Sequence, residues 1–104
     1  LKPETIKMMS ENHLNNGLTI NLLEGLTDFD THGLAWAIED SDEELVRSKG
    51  SVYWGGAANS FFSLDKEKDV AIVYFTNFFP WMDKETYDFY RLFEKEVYDR
   101  INNK

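Results

Sequence analysis

The chain has 104 residues, enough for one small domain with a modest hydrophobic core. Aromatic residues make up 15% of the sequence, which argues against disorder, and the net charge of −8 argues against binding to nucleic acid or to an anionic membrane, because both require clustered basic residues. The lack of cysteine excludes a disulfide framework and a thiolate metal site. We predict no cofactor, and the composition is compatible with any cellular compartment. Because the first residue is Leu1 rather than Met, we expect a processed or truncated product.

The first predicted element is a helix with Pro3 at its opening position. It ends at residues 15–17, Asn-Asn-Gly, because these residue types tolerate a left-handed cap. Residues 18–26 are ambiguous between a strand and a short helix, and residues 28–31 are typical of a turn. Residues 33–39 are predicted to form a strand, with the large Leu34, Trp36 and Ile38 on one face and alanines on the other.

Two more strands are predicted over residues 59–64 and 69–76, joined by a charged turn into an antiparallel hairpin. The second is apolar on both faces, which is typical of a strand inside a sheet with layers above and below it. A last helix begins after Asp83, whose carboxylate can cap the first turn. Its predicted apolar stripe consists of Phe89, Tyr90, Leu92, Phe93, Val97 and Ile101.

These elements predict an α+β fold in which a three-stranded antiparallel sheet is flanked by an N-terminal and a C-terminal helix, in a single domain spanning residues 1–104. Two helices leave one face of the strand over residues 69–76 poorly covered. At ~25 cal/mol per Å² of apolar surface, that exposure would cost on the order of several kcal/mol. We therefore expect a missing N-terminal segment, another copy of the chain, or tight packing of the first helix to cover this face.

The most informative segment is Trp54-Gly55-Gly56, which precedes the hairpin. A glycine pair beside an aromatic residue lets backbone N–H groups approach a ligand, because no Cβ stands in the way. On the residues alone, however, a core tryptophan followed by a bulge or a turn explains the same pattern, and that interpretation is favoured.

Three segments share their order with a known family: residues 1–9, residues 33–36 (Gly-Leu-Ala-Trp) and residues 54–56 (Trp-Gly-Gly). Together they resemble the C-terminal portion of the serine β-lactamase-like family, which includes class C β-lactamases, penicillin-binding proteins and β-lactamase-fold carboxylesterases. Residues 33–36 are similar to the Gly-Leu-Gly-Trp strand of the family. Residues 54–56 stand where most members carry Lys-Thr-Gly or His-x-Gly, and Trp-Gly-Gly is common in the esterase-like branch.

This resemblance implies that the parent protein hydrolyses or transfers the acyl group of a small-molecule ester or amide through a serine acyl-enzyme. Trp54, Gly55 and Gly56 would then line the substrate pocket, and the backbone N–H of Ala57 would be an oxyanion-hole donor. Because Trp-Gly-Gly is common in the esterase-like branch, the resemblance favours an ester substrate over a β-lactam substrate.

No nucleophile or base is predicted in this chain. Residues 63–66, Ser-Leu-Asp-Lys, match the letters of the Ser-x-x-Lys motif, but they follow the third motif and lie at the end of a strand. The family places that motif far earlier, at a helix N-terminus. Residues 10–12, Ser-Glu-Asn, match the second family motif in spelling and are interpreted as a solvated helix end. We therefore predict that the chain alone is inactive.

Two alternatives remain open. The first is a non-catalytic, acidic module that binds a protein partner or self-associates through an exposed sheet face. The second is a calcium loop over residues 28–39, with Asp28, Asp30, Gly33 and Glu39 at EF-hand positions 1, 3, 6 and 12. A strand over residues 33–39 would prevent Glu39 from reaching the ion, and the two histidines are too isolated for zinc, so we predict no metal site.

Overall fold

The computed structural model describes residues 1–21, 28–29, 31–41 and 46–104. In this part of the chain the helices are α1 (Pro3–Met9) and α2 (Lys84–Asn102). A small antiparallel sheet pairs β1 (Ile20–Asn21) with β2 (Asp28–Phe29). The main sheet is antiparallel and has the order β3 (Ala37–Ile38), β4 (Val52–Gly56), β5 (Ser60–Asp65) and β6 (Val70–Tyr74).

The predicted α+β class is confirmed, but the main sheet has four strands instead of three. The additional strand is β4, because the glycine pair does not end the extended backbone. Gly55 pairs with Phe61 and Gly56 pairs with Ser60. The interpretation of residues 28–31 as a turn is wrong at residues 28–29, which form β2, and the ambiguous segment over residues 18–26 contains β1 and otherwise lies mostly outside the described residues.

The predicted strand over residues 33–39 is reduced to Ala37–Ile38 because the backbone bends just before it. The Gly33 N–H donates to the carbonyl of Trp36 at 2.9 Å, which closes a local turn. The Leu34 N–H donates to the carbonyl of Met9 at 3.0 Å, so the same segment also crosses the end of α1. A Cβ on Gly33 would lie 1.9 Å from the Met9 carbonyl oxygen, so only glycine permits this crossing.

Helix α1 begins at Pro3, as predicted, but it ends at Met9 and not at residues 15–17. Its last carbonyl is the acceptor for the crossing segment, and the Ser10 N–H closes the helix by donating to Ile6 and Lys7. Residues 15–17 form a separate turn, in which Asn16 and Gly17 have φ of 59° and 72°. These residues therefore adopt the predicted left-handed conformation, but they lie in a loop and do not cap the helix.

The hairpin of β5 and β6 is confirmed, and Asp65 holds its turn. One oxygen of Asp65 accepts the N–H groups of Glu67 and Lys68 at 3.0 and 3.1 Å, and the other accepts the Ser48 N–H and the Tyr98 hydroxyl. Burial would raise the pKa of the Asp65 carboxyl, but these hydrogen bonds lower the pKa below its ordinary value. The hairpin turn, the loop before β4 and α2 thus meet at one carboxylate.

Strand β6 was predicted to be an interior strand, and this is wrong for the described chain. It lies at the end of the strand order and only one of its faces is covered. Ile72 is 4% exposed beneath α2, whereas Val73, on the other face, is 57% exposed. The prediction failed because the apolar pattern of this strand is typical of a strand covered on both faces, whereas the described chain covers only one face of it.

Helix α2 begins with the predicted cap, because the Asp83 carboxylate accepts the Thr86 N–H at 2.9 Å. The predicted stripe is confirmed at Tyr90, Val97 and Ile101 but is wrong on one side. Phe89, Leu92 and Phe93 are exposed, and among the described residues the Phe89 ring meets the sheet at Tyr74, with the ring centroids 6.0 Å apart. The buried stripe instead runs through Tyr90, Glu94 and Tyr98, at intervals of four residues, because an ion pair neutralises the glutamate.

The core lies between α2 and the sheet. Its central ring is Phe61, which stacks on Tyr90 with the ring centroids 4.9 Å apart and contacts Tyr87 edge-on at 5.5 Å. Ile72 and Tyr98 complete the buried cluster. Neither helix of the described part combines the length with the apolar character that crossing a bilayer requires.

Candidate functional site

An open groove of about 410 Å³ lies on the main sheet around the Trp-Gly-Gly segment. Trp54, Phe62 and Val73 are cross-strand neighbours and therefore share one face of the sheet, while α2 packs on the opposite face. The full lining is Trp54, Gly55, Gly56, Ser60, Phe61, Phe62, Val73 and Phe75. Every side chain in it is uncharged, which suits an apolar ligand group.

Beside the groove, the described residues leave part of one edge of β4 unpaired. Strand β3 pairs with β4 only at Val52 and Tyr53, so no described strand covers Gly55 and Gly56 on that side. Ala57 is exposed and begins the turn after β4, and among the described residues no hydrogen bond occupies its N–H. A free backbone N–H next to an apolar groove is the type of donor that can stabilise an oxyanion.

The two glycines of the segment differ in what they allow. A Cβ on Gly55 would lie 3.0 Å from two ring carbons of Phe61, so any side chain there would press on the central ring of the core. A Cβ on Gly56 would come no closer than 3.8 Å to any neighbouring atom. Packing therefore explains Gly55, whereas the missing side chain of Gly56 leaves space at the lip of the groove.

The indole of Trp54 is half-buried and has His32 as its neighbour. The two rings meet edge to face, with centroids 5.1 Å apart and an interplanar angle of 85°. Nδ1 of His32 lies 2.6 Å from the carbonyl of Gly33, and its backbone N–H donates to Asn12 at 3.1 Å. In the sequence His32 is too isolated to be proposed as a zinc ligand or as the base of a triad, and no sequence signal indicated this aromatic contact.

The turn after β4 is fixed by Asn59, which is fully buried and has φ of 56°. Its amide nitrogen donates to the carbonyls of Phe78 and Pro80 at 2.7 and 2.8 Å, and its oxygen accepts the Asp83 N–H at 3.0 Å. These bonds hold the turn that carries Ala57 against the segment entering α2. The buried amide was not predicted from the sequence.

Behind β4, on the face covered by α2, lies a buried ion network around Glu94. Its two carboxylate oxygens accept from Arg47 at 2.6 and 3.2 Å, and Arg91 and Ser63 donate to them at 2.7 and 2.9 Å. Burial opposes the charge of Arg47, but the hydrogen bond and the charge of Glu94 raise the pKa of its guanidinium. The guanidinium also lies 4.2 Å above the ring centroid of Tyr53.

Sequence reasoning missed Glu94 and Arg47, although one signal was present. Glu94 stands midway between Tyr90 and Tyr98, inside the buried stripe of α2, and a charge in such a stripe requires a buried partner. The identity of that partner was not readable, because Arg47 is far away in the sequence.

The two serines that match family motifs lie in structural positions. Ser63 is 1% exposed, faces α2 and donates its hydroxyl proton to Glu94, on the opposite face of the sheet from the groove. Ser10 is the C-cap residue of α1. That this chain lacks a nucleophile stays a prediction. Neither of these two serines lines the groove, where a nucleophile would have to lie.

In the described parts of the proposed calcium segment, residues 28–29 and 31–39, the backbone forms strand and bridge pairs instead of wrapping around an ion. His32 bridges to Ala37, and the Thr31 hydroxyl donates to the carbonyl of Ile38 at 2.7 Å. Asp30 lies outside the described residues. In the remainder, no cluster of three or more acidic or histidine side chains is arranged to hold a metal. The geometry gives the calcium alternative no support.

Comparison with known proteins found similarity to an acyltransferase. A segment of 62 residues, 60% of the chain, is 36% identical to a monacolin J acid methylbutanoyltransferase from Aspergillus terreus. The same enzyme from a second Aspergillus terreus strain matches equally well. The chain spans only 15% of the length of these curated relatives.

Solved structures give the same result for the fold. Unliganded simvastatin synthase from Aspergillus terreus superposes with a TM-score of 0.76 over 96% of the chain, at 25% identity. A mutant of that synthase superposes with a TM-score of 0.75 over the whole chain, at 26% identity. The chain covers 30% and 29% of these two structures.

The family comparison spans nearly the whole sequence. The model described as Beta-lactamase matches residues 1–96, which include α1, the main sheet and most of α2. Together with the superpositions, this match confirms the resemblance found in the sequence. The chain therefore belongs to the β-lactamase family and corresponds to a part of the larger fold of its relatives.

Proposed function

We propose that this chain forms one wall of the acyl pocket in a larger acyltransferase or hydrolase of the β-lactamase family, as the C-terminal part of its catalytic domain. Trp54, Gly55 and Gly56 line the pocket, and the Ala57 N–H is an oxyanion donor. The nucleophilic serine and its base belong to polypeptide outside this chain. The observation that carries the proposal is the uncharged groove beside the part of the β4 edge that no described strand covers.

The lining of the groove favours an apolar acyl group over a charged ligand. A β-lactam carries a carboxylate, which needs a cationic or hydrogen-bonding partner, and the lining side chains offer none that is charged. The name of the curated relative states that it transfers a methylbutanoyl group, which is short, branched and apolar. We propose a substrate of the same class here, an acyl ester or thioester with a short apolar chain.

The proposed reaction has two steps that share one oxyanion site. The serine oxygen attacks the acyl carbonyl carbon, the base takes the serine proton, and the leaving group departs with a proton. An alcohol or water then attacks the acyl-enzyme carbonyl and gives its proton to the base. The bond between the serine oxygen and the acyl carbon breaks as the base returns a proton to the serine, which releases the acyl product. In each step the carbonyl oxygen gains charge, and the Ala57 N–H stabilises it in the groove.

The test uses an extended polypeptide that joins this chain to the coding sequence preceding it, assayed with nitrophenyl butyrate. Ala57→Pro removes the backbone N–H and is expected to lower kcat by about 100-fold, the typical effect of losing one oxyanion donor. Ala57→Gly keeps the N–H and is the matched control. Equal activity of the proline and glycine variants would contradict the assignment of Ala57.

The chain alone is expected to show neither turnover nor a burst of nitrophenol with the same ester. The assay needs a control for the serine of the Ser-x-x-Lys spelling, and Ser63→Ala provides it. A burst that this variant abolishes would show that the chain is active by itself and that its nucleophile had been misidentified.

A self-associating module remains the second candidate, because the groove face exposes large apolar side chains, with Phe75 82% exposed. Sedimentation equilibrium of the chain separates the two functions. A dimer that Phe75→Ser dissociates, together with an extended polypeptide that shows no acyl transfer, would favour this alternative.

A further inference from the structure

The buried ion network contacts the pocket strand at the residue just before the groove's indole. Arg47 lies over the ring of Tyr53, and Ser63, the cross-strand partner of Tyr53, donates to Glu94. Successive residues of a strand point to opposite faces of the sheet. Glu94 and Arg47 therefore hold β4 from behind at Tyr53, while Trp54 is presented on the groove side.

The network joins three elements through directional bonds: α2, the segment preceding β4, and β5. Its bidentate contact fixes both the distance and the plane of the Arg47 guanidinium relative to the Glu94 carboxylate. Buried ion pairs add little net stability compared with well-packed apolar residues, because desolvation offsets most of their attraction. Stability alone is therefore a weak reason for a fully buried glutamate in the middle of α2.

We propose that Glu94 and Arg47 are positioning residues that set the place of β4 and, through it, the orientation of Trp54 at the groove. The network holds Tyr53, the residue before Trp54, on one side of the sheet, and the ring of His32 contacts Trp54 on the other. The catalytic meaning of this role rests on the proposed function. The placement itself does not, and it is measurable in the chain without any acyl substrate.

The experiment labels the chain with 5-fluorotryptophan and records fluorine NMR spectra. The three tryptophans give three resonances, which Trp→Phe variants assign. Glu94→Gln keeps the size of the side chain and removes its charge. We expect the Trp54 resonance to move by more than those of Trp36 and Trp81. The control is Glu96→Gln, which breaks an exposed pair with Arg100 on the same helix.

A second variant keeps the test decisive where Glu94→Gln fails to fold. Arg47→Met combined with Glu94→Leu removes both charges and fills the space with apolar atoms, a replacement that buried ion pairs often tolerate. Cooperative urea unfolding verifies its core. We expect a displaced Trp54 resonance in this folded variant. A Trp54 resonance that moves no further than in Glu96→Gln, in either folded variant, would overturn the proposal.

The two proposals fail in different experiments. An extended polypeptide in which Trp54→Ala leaves acyl transfer unchanged would contradict the pocket assignment and leave the positioning result standing. A Trp54 resonance that ignores the ion network would contradict the positioning role, whatever the extended polypeptide does.

Discussion

The two faces of the main sheet distribute charged and apolar side chains in the opposite way from most proteins. The face under α2 is closed, yet it buries Glu94, Arg47 and Asp65. The groove face is apolar, yet Val73 and Phe75 are 57% and 82% exposed. In ordinary domains large apolar residues are buried and charges are exposed, so both faces depart from the usual pattern.

The closed face compensates for its charges within this chain. Every buried carboxylate there has several donors: Glu94 accepts from Arg47, Arg91 and Ser63. The open face has no such compensation, because water cannot satisfy apolar side chains. The difference indicates that the closed face neutralises its buried charges within the described chain, whereas the groove face is suited to contact something further, which is the substrate and the remaining polypeptide in the proposed function.

The largest expected effect comes from leaving a charge alone on the closed face. Arg47→Met removes the bidentate partner of the fully buried Glu94 carboxylate. We expect the free energy of unfolding to fall by about 3–5 kcal/mol, the typical cost of breaking a buried pair. Urea unfolding monitored by circular dichroism measures the loss.

The matched control for Arg47→Met is the same substitution combined with Glu94→Leu. Without either charge the closed face becomes an ordinary apolar interface, and most of the lost stability should return. If the double variant is as unstable as Arg47→Met alone, the loss is a packing defect and the electrostatic description of this face is wrong.

A smaller effect is expected from two adjacent residues of β6 that point to different faces. Ile72→Ala removes buried methyl groups beneath α2 and should cost about 2–3 kcal/mol, at the low end for core truncations because β6 is an edge strand. Val73→Ala truncates an exposed side chain and should cost less than about 1 kcal/mol. Equal losses in urea unfolding would show that the chain itself covers both faces.

Much of the architecture could be predicted from the sequence because local signals specify it. The cap at Asp83, the hairpin around Asp65 and Pro3 at the start of α1 each depend on a few neighbouring residues. The end of α1 was mispredicted because a distant contact, Gly33 on the Met9 carbonyl, decides it. Periodicity also misassigned Phe93, because it scores Glu94 as polar and cannot see the ion pair.

The candidate site, like the fold, was only partly predictable from the sequence. The sequence motif drew attention to Trp54 and the following glycines, and the structure places all three around one groove. The residues that hold this segment, Glu94 and Asn59, were not found, because their partners lie far away in the chain. A motif identifies residues that are near each other in sequence, whereas a supporting network is defined only in space.

The smallest expected effect separates the two glycines at the rim. A Cβ added at Gly55 meets the Phe61 ring at 3.0 Å, so Gly55→Ala forces the central ring of the core to move and should cost about 1–2 kcal/mol. Gly56→Ala meets nothing closer than 3.8 Å and is the matched control, with a change near zero. Urea unfolding compares the two variants. The proposed pocket sharpens the contrast, because in the extended polypeptide the methyl group at Gly56 should weaken ester turnover although it leaves stability intact. If Gly56→Ala lowers stability as much as Gly55→Ala does, both glycines serve packing, and the lip of the groove has no separate role.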